Sequence, residues 1–216
     1  MYGVNFNLFR CAVMKDKEQT KRKLIDAVGM IIKTKGFSGL RISKVAGLAG
    51  VDRKLVYRYF GNLSNLTEAY IAENDYWFIF AEHFKILSKE LDNRNIQAFI
   101  TDVLQGLFKH FLNDKEMQNL ILMELSGDNP IMRSIHNVRE LIGQQLFEAT
   151  DSRFQPTNVN FRAISALLVG GIYYMILHTR KNGYQFADVN LKSDEGMRAI
   201  LDTMAQVIEW AFKEAV

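Results

Sequence analysis

Apolar residues recur at intervals of three and four along nearly the whole chain, and this spacing predicts helices rather than strands. The first stripe precedes Gly36, a helix stop, and consists of Leu24, Ile25, Val28, Ile31 and Ile32. Asn62 or Ser64 is the predicted N-cap of a long fourth helix over about residues 66–91. Two final helices are predicted at about 159–181 and 194–214. No stretch alternates like a strand for more than a few residues, so we predict an all-α fold of about nine helices.

Residues 41–60, RISKVAGLAGVDRKLVYRYF, predict two short helices joined by a sharp turn. Gly50 suits the turn because it tolerates positive φ, and Asp52 is a good N-cap for the second helix. Val56 and Phe60 anchor that helix inward at i, i+4. The outward side chains are cations and phenols, namely Arg53, Lys54, Tyr57, Arg58 and Tyr59. The pattern indicates a helix-turn-helix that enters a DNA groove. The alternative is a helical hairpin with a solvated basic face.

Charge is concentrated in the same region. From Lys15 to Leu66 there are 12 Lys and Arg against 4 Asp and Glu, a net charge of +8. The whole chain has 27 against 24, or +3, so the remainder carries 15 against 20, or −5. A basic module beside an acidic body favours a polyanionic partner, with binding that falls steeply as salt rises.

The sequence shows no pattern typical of a disulfide-bonded protein, a metal site, an enzyme or a membrane protein. The single cysteine, Cys11, cannot form an internal disulfide, and the 4 histidines stand far apart without metal-ligand spacing. No nucleophile–base pair, phosphate-binding glycine loop or pair of acids is evident, so we expect neither an enzyme nor a cofactor or metal site. No apolar run approaches the roughly 20 residues of a membrane span, and the N-terminus is a poor signal peptide. We therefore expect a cytoplasmic protein without a membrane partner, associated with the nucleoid when it binds DNA.

The chain divides into three predicted parts. Residues 1–14 form an N-terminal extension and a candidate for disorder, residues 15–63 the helix-turn-helix domain, and residues 64–216 a helical domain for effector binding and dimerisation. Met14 opens a polar stretch typical of a protein start, so residues 1–13 are either an upstream extension or a functional arm that touches DNA or a partner.

Residues 21–70 resemble the tetracycline-repressor (TetR/AcrR) family of bacterial transcription regulators. The resemblance rests on Gly36-Phe37, Val45-Ala46, Ala49-Gly50-Val51, residues 55–60 (LVYRYF) and Leu66. It implies an all-α homodimer whose N-terminal three-helix domain binds a near-palindromic operator in double-stranded DNA. The C-terminal domain would hold a small-molecule pocket and the dimer interface.

The family pattern also implies roles for single residues. Arg53 and Lys54 correspond to base readers, because Arg and Lys donate to guanine O6 and N7. The other implied DNA contacts, most of them to phosphate, are Arg41, Lys44, Tyr57, Arg58 and Tyr59. The family usually has threonine at positions 41 and 55, often lysine at 63, and commonly histidine at 59. Since Arg41 cannot cap a helix, Ser43 is the expected N-cap of the second helix. Arg41 and Lys44 are expected to make the main phosphate contacts.

The helical body is rich in aromatic residues and methionine, which line small-molecule sites between helices but more often form plain core. The pocket candidates are Trp77, Phe84, Phe108, Phe111, Met123, His136, Tyr173 and Tyr174. Their types suggest an apolar or aromatic ligand rather than a sugar or phosphate.

The segment FRAISALLVGGIYYMIL is apolar nearly all round, so it must bury two faces, one of them against a second chain or within its own core. A dimer through the last two helices would form a four-helix bundle. The interface candidates are Leu168, Gly171, Ile172, Met175, Ile200, Met204, Ile208 and Phe212.

Together these features predict a ligand-responsive homodimeric repressor that releases its operator when a small molecule binds. The alternative is a regulator of the same fold without a small-molecule effector, controlled by a protein partner or constitutive.

Overall fold

The computed structural model describes residues 6–87, 95–126 and 130–215, with side chains described for residues 16–81, 95–126, 132–133 and 135–215. These residues form ten α-helices and one small hairpin, which confirms the all-α prediction of about nine helices. Contacts group the chain into an N-terminal unit, residues 1–74, and a C-terminal unit, residues 75–216. The helices are α1 (Phe6–Lys35), α2 (Ile42–Ala49), α3 (Lys54–Phe60), α4 (Leu63–Asn74), α5 (Tyr76–Leu87), α6 (Ile96–Asn113), α7 (Lys115–Ser126), α8 (Pro130–Phe154), α9 (Phe161–Asn182) and α10 (Asp194–Glu214).

The N-terminal unit packs α2, α3 and α4 around the apolar stripe of α1. Its buried side chains come from all four helices and are Leu24, Ile25, Ala27, Val28, Ile31, Ile32, Val45, Ala46, Val56, Leu66, Thr67, Tyr70 and Ile71. Gly29 permits a close approach, because a Cβ there would lie 2.5 Å from the ring of Tyr70. Gly36 ends α1 with φ 67°, as predicted. The core therefore fixes α2 and α3 through few apolar contacts and leaves their other faces open.

Two sequence boundaries need correction. Helix α1 begins at Phe6, so residues 6–14 continue the first helix instead of forming a disordered extension. The predicted boundary between residues 63 and 64 lies one helix too early. Because α4 buries Leu66, Tyr70 and Ile71 in the core that it shares with α1, it belongs to the N-terminal unit.

The predicted long fourth helix is interrupted at Asp75. Its first half, α4, is capped by Asn62, whose side chain accepts a hydrogen bond from the Asn65 N–H at 2.8 Å. Asp75 then caps α5 by accepting from the Trp77 N–H at 3.0 Å, and its carboxylate is fully buried. A carboxylate at this position favours a new helix start over continuation. The predicted end of the fourth helix, near residue 91, lies outside the described residues.

The C-terminal unit contains one large apolar core contributed mainly by α5, α6, α8, α9 and α10. A short antiparallel hairpin, β1 (Gln185–Phe186) and β2 (Val189–Asn190), precedes α10. Ser193 caps α10 by accepting from the Gly196 N–H at 3.0 Å. Gly196 is required there, because a Cβ would lie 2.1 Å from the Asn190 carbonyl oxygen.

Helix α9 is long and apolar enough to cross a membrane by length and composition, which the sequence expectation missed. One such helix is weak evidence, since core helices of soluble proteins pass the same test. Only 22% of its most apolar window is buried within the chain, so much of α9 presents apolar side chains at the surface.

Candidate nucleic-acid interface and effector groove

The turn between α2 and α3 is built as the sequence predicts. Gly50 adopts the left-handed conformation, φ 67° and ψ 34°, and its N–H bonds to the last carbonyls of α2. Asp52 accepts a hydrogen bond from the Lys54 N–H at 2.7 Å, which satisfies a free donor at the start of α3. Val56 is the one fully buried side chain of α3. Helix α2 begins at Ile42 after Arg41, without a side-chain cap, so the expected cap at Ser43 is wrong.

A concave surface of about 1070 Å³ lies between α2 and α3. It brings together four of the seven predicted DNA contacts: Arg41, Arg53, Lys54 and Tyr57. The other three, Lys44, Arg58 and Tyr59, stand outside its lining. Ser43 and Leu63 also line it, although the sequence reasoning did not place them among the contacts. The side chain of Ser43 is exposed, and a hydroxyl there would have been recognisable as a phosphate donor.

The cations of this surface are free of carboxylate partners. In the N-terminal unit, Lys21 bonds Glu18 and Arg22 bonds Asp26 and Glu73, all on α1 and α4. Within the described part of the chain, Arg41, Lys44, Arg53 and Lys54 make no ion pair, and Arg58 lies over the Tyr59 ring at 5.9 Å. Because no described carboxylate neutralises their charge, these side chains are available to an anionic partner.

A second concavity, of about 1050 Å³, lies in the C-terminal unit between α7, α8 and α9, with Trp77 of α5 also in its lining. We call it the groove. Apolar and aromatic lining residues are Trp77, Ile121, Leu125, Leu141, Phe147, Ala166, Val169 and Tyr173. The Trp77 indole N–H donates to the Tyr173 hydroxyl at 2.8 Å, which holds the two rings together. Burial raises the pKa of Tyr173 to about 12, so this hydroxyl stays neutral at ordinary pH.

A buried ion cluster lies beside the rings. Arg139, whose side chain is 9% exposed, bonds Asp75 at 3.0 Å through Nε and also pairs with Glu124. His136 Nδ1 lies 3.2 Å from the Glu124 carboxylate. The two carboxylates keep the pKa of Arg139 raised even though burial opposes its charge. The cluster links α5, α7 and α8, and Glu124, His136 and Arg139 face the groove.

The predicted pocket residues divide between the groove and other places. Trp77, His136 and Tyr173 line the groove, whereas Met123 is half-buried outside its lining. Phe108 and Phe111 are fully enclosed in the core, so their assignment to the pocket is corrected. Tyr174 is also corrected, because it is 59% exposed on another face of α9, against His178 and Phe186. The side chain of Phe84 lies outside the described residues.

Comparison with known proteins identifies the fold. No protein-family model matches the chain. A probable HTH-type transcriptional regulator of Bacillus subtilis (strain 168), YttP, is 20% identical over 132 residues, which are 61% of this chain. The match spans 63% of that relative's length, less than two thirds.

Solved structures match over a larger share. A TetR family transcription regulator from Marinobacter aquaeolei VT8 aligns with a TM-score of 0.61 at 14% identity, covering 90% of this chain and 97% of that one. The chain has the TetR-family fold. FadR from Bacillus subtilis, solved in complex with stearoyl-CoA, also has a TM-score of 0.61, with 19% identity and coverages of 86% and 98%. NalD, the secondary repressor of the MexAB-OprM multidrug efflux pump in Pseudomonas aeruginosa, gives 0.58 at 18% identity, with coverages of 89% and 96%.

Within this TetR fold, the predicted dimer residues fall into two groups. Ile172, Met204, Ile208 and Phe212 are buried in the core of their own chain, so they cannot meet a partner and their assignment is corrected. Four interface candidates remain, all of them partly exposed: Leu168, Gly171, Met175 and Ile200.

Helices α9 and α10 expose large apolar side chains that were not among the predicted interface residues. Leu167 is 77% exposed, Tyr174 59% and Trp210 56%. Gly170 has open space around its Cβ position, so this part of α9 is flat.

Proposed function

We propose that the protein is a DNA-binding transcription regulator that acts as a homodimeric repressor. The observation that carries this proposal is the concave surface between α2 and α3, where the side chains of Arg41, Arg53 and Lys54 stand together and make no ion pair with the part of the chain that the structure describes. The fold and the basic charge of residues 15–66 support it. Arg53 and Lys54 would read base edges, while Arg41, Lys44 and Tyr57 would contact phosphates, with Arg58 and Tyr59 beside them.

The dimer belongs to the same proposal. Two recognition helices must lie about one DNA turn apart to read a two-fold operator, and a symmetric pair of chains provides this. The exposed Leu167, Tyr174 and Trp210 would supply the apolar contact area. Sedimentation of the purified protein tests this point, and a stable monomer at micromolar concentration would contradict it.

The groove is the proposed effector site. Its aromatic wall, Trp77 with Tyr173, suits an apolar or aromatic body. Asp75 caps α5 and bonds Arg139 of the groove, and α4 precedes it directly in the chain. A ligand that shifts Trp77, whose backbone N–H bonds Asp75, would loosen the first turn of α5. Such coupling is typically worth ~1–3 kcal/mol, enough to release the operator from a fraction of the molecules.

A regulator without a small-molecule effector is the second candidate, because Phe108 and Phe111 fill the centre of the C-terminal core completely. The groove favours the first candidate. Neither candidate involves catalysis, and a regulator of this kind works in the cytoplasm, where the chromosome lies.

The test begins with selection of genomic DNA fragments by the purified protein at moderate salt, followed by sequencing. One or a few near-palindromic sites are expected. Recovery of only random DNA would contradict specific recognition.

Variants then test the contacts on the selected site. Arg53→Ala and Lys54→Ala should each weaken specific binding by ~1–3 kcal/mol if the side chain reads a base. Lys23→Ala is the control, since it removes an equal charge from an exposed position on α1. Equal affinity of all three variants for the operator would refute the assignment of base readers.

A further inference from the structure

The groove is acidic for a site with an aromatic wall. Its lining holds four carboxylates, on Glu124, Glu140, Glu148 and Asp151, and two guanidinium groups, a formal charge of −2 with His136 neutral. Asp75 adds another carboxylate directly behind Arg139. A ligand that enters the groove therefore meets an excess of negative charge.

Both cations of the lining are already paired. Arg139 is held by Asp75 and Glu124, and Arg162 bonds both oxygens of Asp151 at 2.9 and 2.8 Å. An anionic ligand would have to break one of these pairs to gain a partner, and at Arg139 it would leave the fully buried Asp75 carboxylate uncompensated.

Two carboxylates of the lining remain without a cation. Glu140 and Glu148 are exposed on α8, and among the described residues neither makes an ion pair. Glu148 accepts a hydrogen bond from Gln144 at 3.0 Å, which leaves its charge in place. The two lie eight residues, or about 12 Å, apart along α8, so a ligand cation could approach either of them without displacing a cation that is already paired.

One aromatic ring of the groove lining already contacts a planar cation of the protein itself. The guanidinium of Arg162 lies 4.9 Å from the centre of the Phe147 ring. Trp77 and Tyr173 offer further ring surface in the same groove. Aromatic faces attract cations through the ring quadrupole, so an amine attached to a flat apolar body would gain from both the rings and the carboxylates.

We propose that the groove takes an amphipathic organic cation, with an aromatic or apolar body against Trp77 and Tyr173 and a protonated amine near Glu140 and Glu148. This rests on the proposed effector role of the groove and specifies the class of its ligand.

Three dansyl compounds with one shared aromatic body test the charge preference. Dansylcadaverine carries an amine, dansylamide is neutral and dansylglycine carries a carboxylate. Each is titrated by its fluorescence into the full-length protein without DNA at neutral pH. The variant Trp210→Phe keeps an aromatic ring at the proposed dimer surface and leaves Trp77 as the one remaining tryptophan of the chain's 2. Energy transfer from Trp77, which lines the groove, then reports binding close to Trp77, and the carboxylate variants below test whether the groove is the site.

Dansylcadaverine should bind at least about ten-fold more tightly than dansylglycine, with dansylamide between them, because several carboxylates add their attraction. Glu140→Gln and Glu148→Gln should each weaken dansylcadaverine binding by about three-fold and leave dansylamide unchanged, as expected for exposed charges. The control is Glu209→Gln, an exposed change on α10 outside the groove lining, which should have no effect.

Equal or tighter binding of dansylglycine would overturn the proposal, and so would binding of none of the three compounds. Neither result would touch operator recognition, which is measured separately with the Arg53 and Lys54 variants. Conversely, a protein that selects no operator but prefers dansylcadaverine would contradict the proposed regulator function and support the cation site.

Discussion

Replacing Arg139 by methionine should destabilise the C-terminal unit much more than the same replacement of Arg162. Arg139 is 9% exposed and faces Asp75, whose side chain is fully buried. Methionine retains the apolar stem but leaves the buried carboxylate without its cation, which costs about 3–5 kcal/mol. Arg162 is 51% exposed and pairs with a partly exposed Asp151, so its loss should cost about 0–1 kcal/mol.

Thermal and urea unfolding followed by far-UV circular dichroism measure the difference. For a chain of this size the Arg139→Met variant should lose about 6–20 °C in midpoint temperature. A double variant, Asp75→Asn with Arg139→Met, should recover part of the loss. Asparagine keeps the side-chain oxygen that caps α5 and removes the unpaired charge. An Arg139→Met variant within about 1 kcal/mol of Arg162→Met would refute the argument that a buried pair holds α5, α7 and α8 together.

Two further predictions concern a backbone position and a pH range. Gly50→Ala should destabilise the protein by about 1–2 kcal/mol because φ is 67° there. Gly47→Ala, inside α2 with open space around it, should be neutral or stabilising by up to about 1 kcal/mol. Equal urea midpoints for the two variants would contradict this prediction. Burial raises the pKa of Tyr76 and Tyr173 to about 12 in the folded protein, from 10.0. The unfolded chain therefore loses these protons first, so their stabilisation is complete below pH 10 and declines as pH rises through 12. Tyr76→Phe should flatten the fall in urea stability between pH 10 and 12, and an unchanged slope would count against the assignment.

The helix-turn-helix could be predicted in detail because its determinants are local. Gly50, Asp52 and Val56 act within a few residues of one another, through a positive φ, a cap and an inward anchor. The stripe of apolar residues before Gly36 likewise predicted the buried face of α1. Short-range rules of this kind need no knowledge of what packs against each helix.

The groove could be predicted only in part because its residues come from distant places in the sequence. Trp77 meets Tyr173 and Asp75 meets Arg139 only after four helices have packed. Composition could not separate Phe111, which is core, from Tyr173, which lines the groove, since both suit either place. The interruption of the fourth helix at Asp75 was not predicted for the same reason. The Asp75 carboxylate is held there by Arg139, which is 64 residues away in the sequence.

The dimer prediction shows the limit of an apolar stripe. The stripe through Ile172 and Met204 was assigned to a partner chain, yet it is the face that each helix buries in its own core. Periodicity identifies a buried face but does not identify the surface that covers it. Leu167 and Trp210 fit the helical spacing of apolar residues, so their exposure could be recognised only from the packed structure.

The light anchoring of α3 also has a consequence for evolution. Only Val56 of this helix is fully buried, and the turns at Gly50 and Gly61 hold its ends. Substitutions at Arg53, Lys54 and Tyr57 therefore alter surface chemistry with little penalty to the core. In the proposed regulator, a duplicated gene could acquire a new target sequence through a few changes here while the rest of the molecule stayed the same. The proposed effector groove lies in the other unit and could diversify independently, so signal and target need not evolve together.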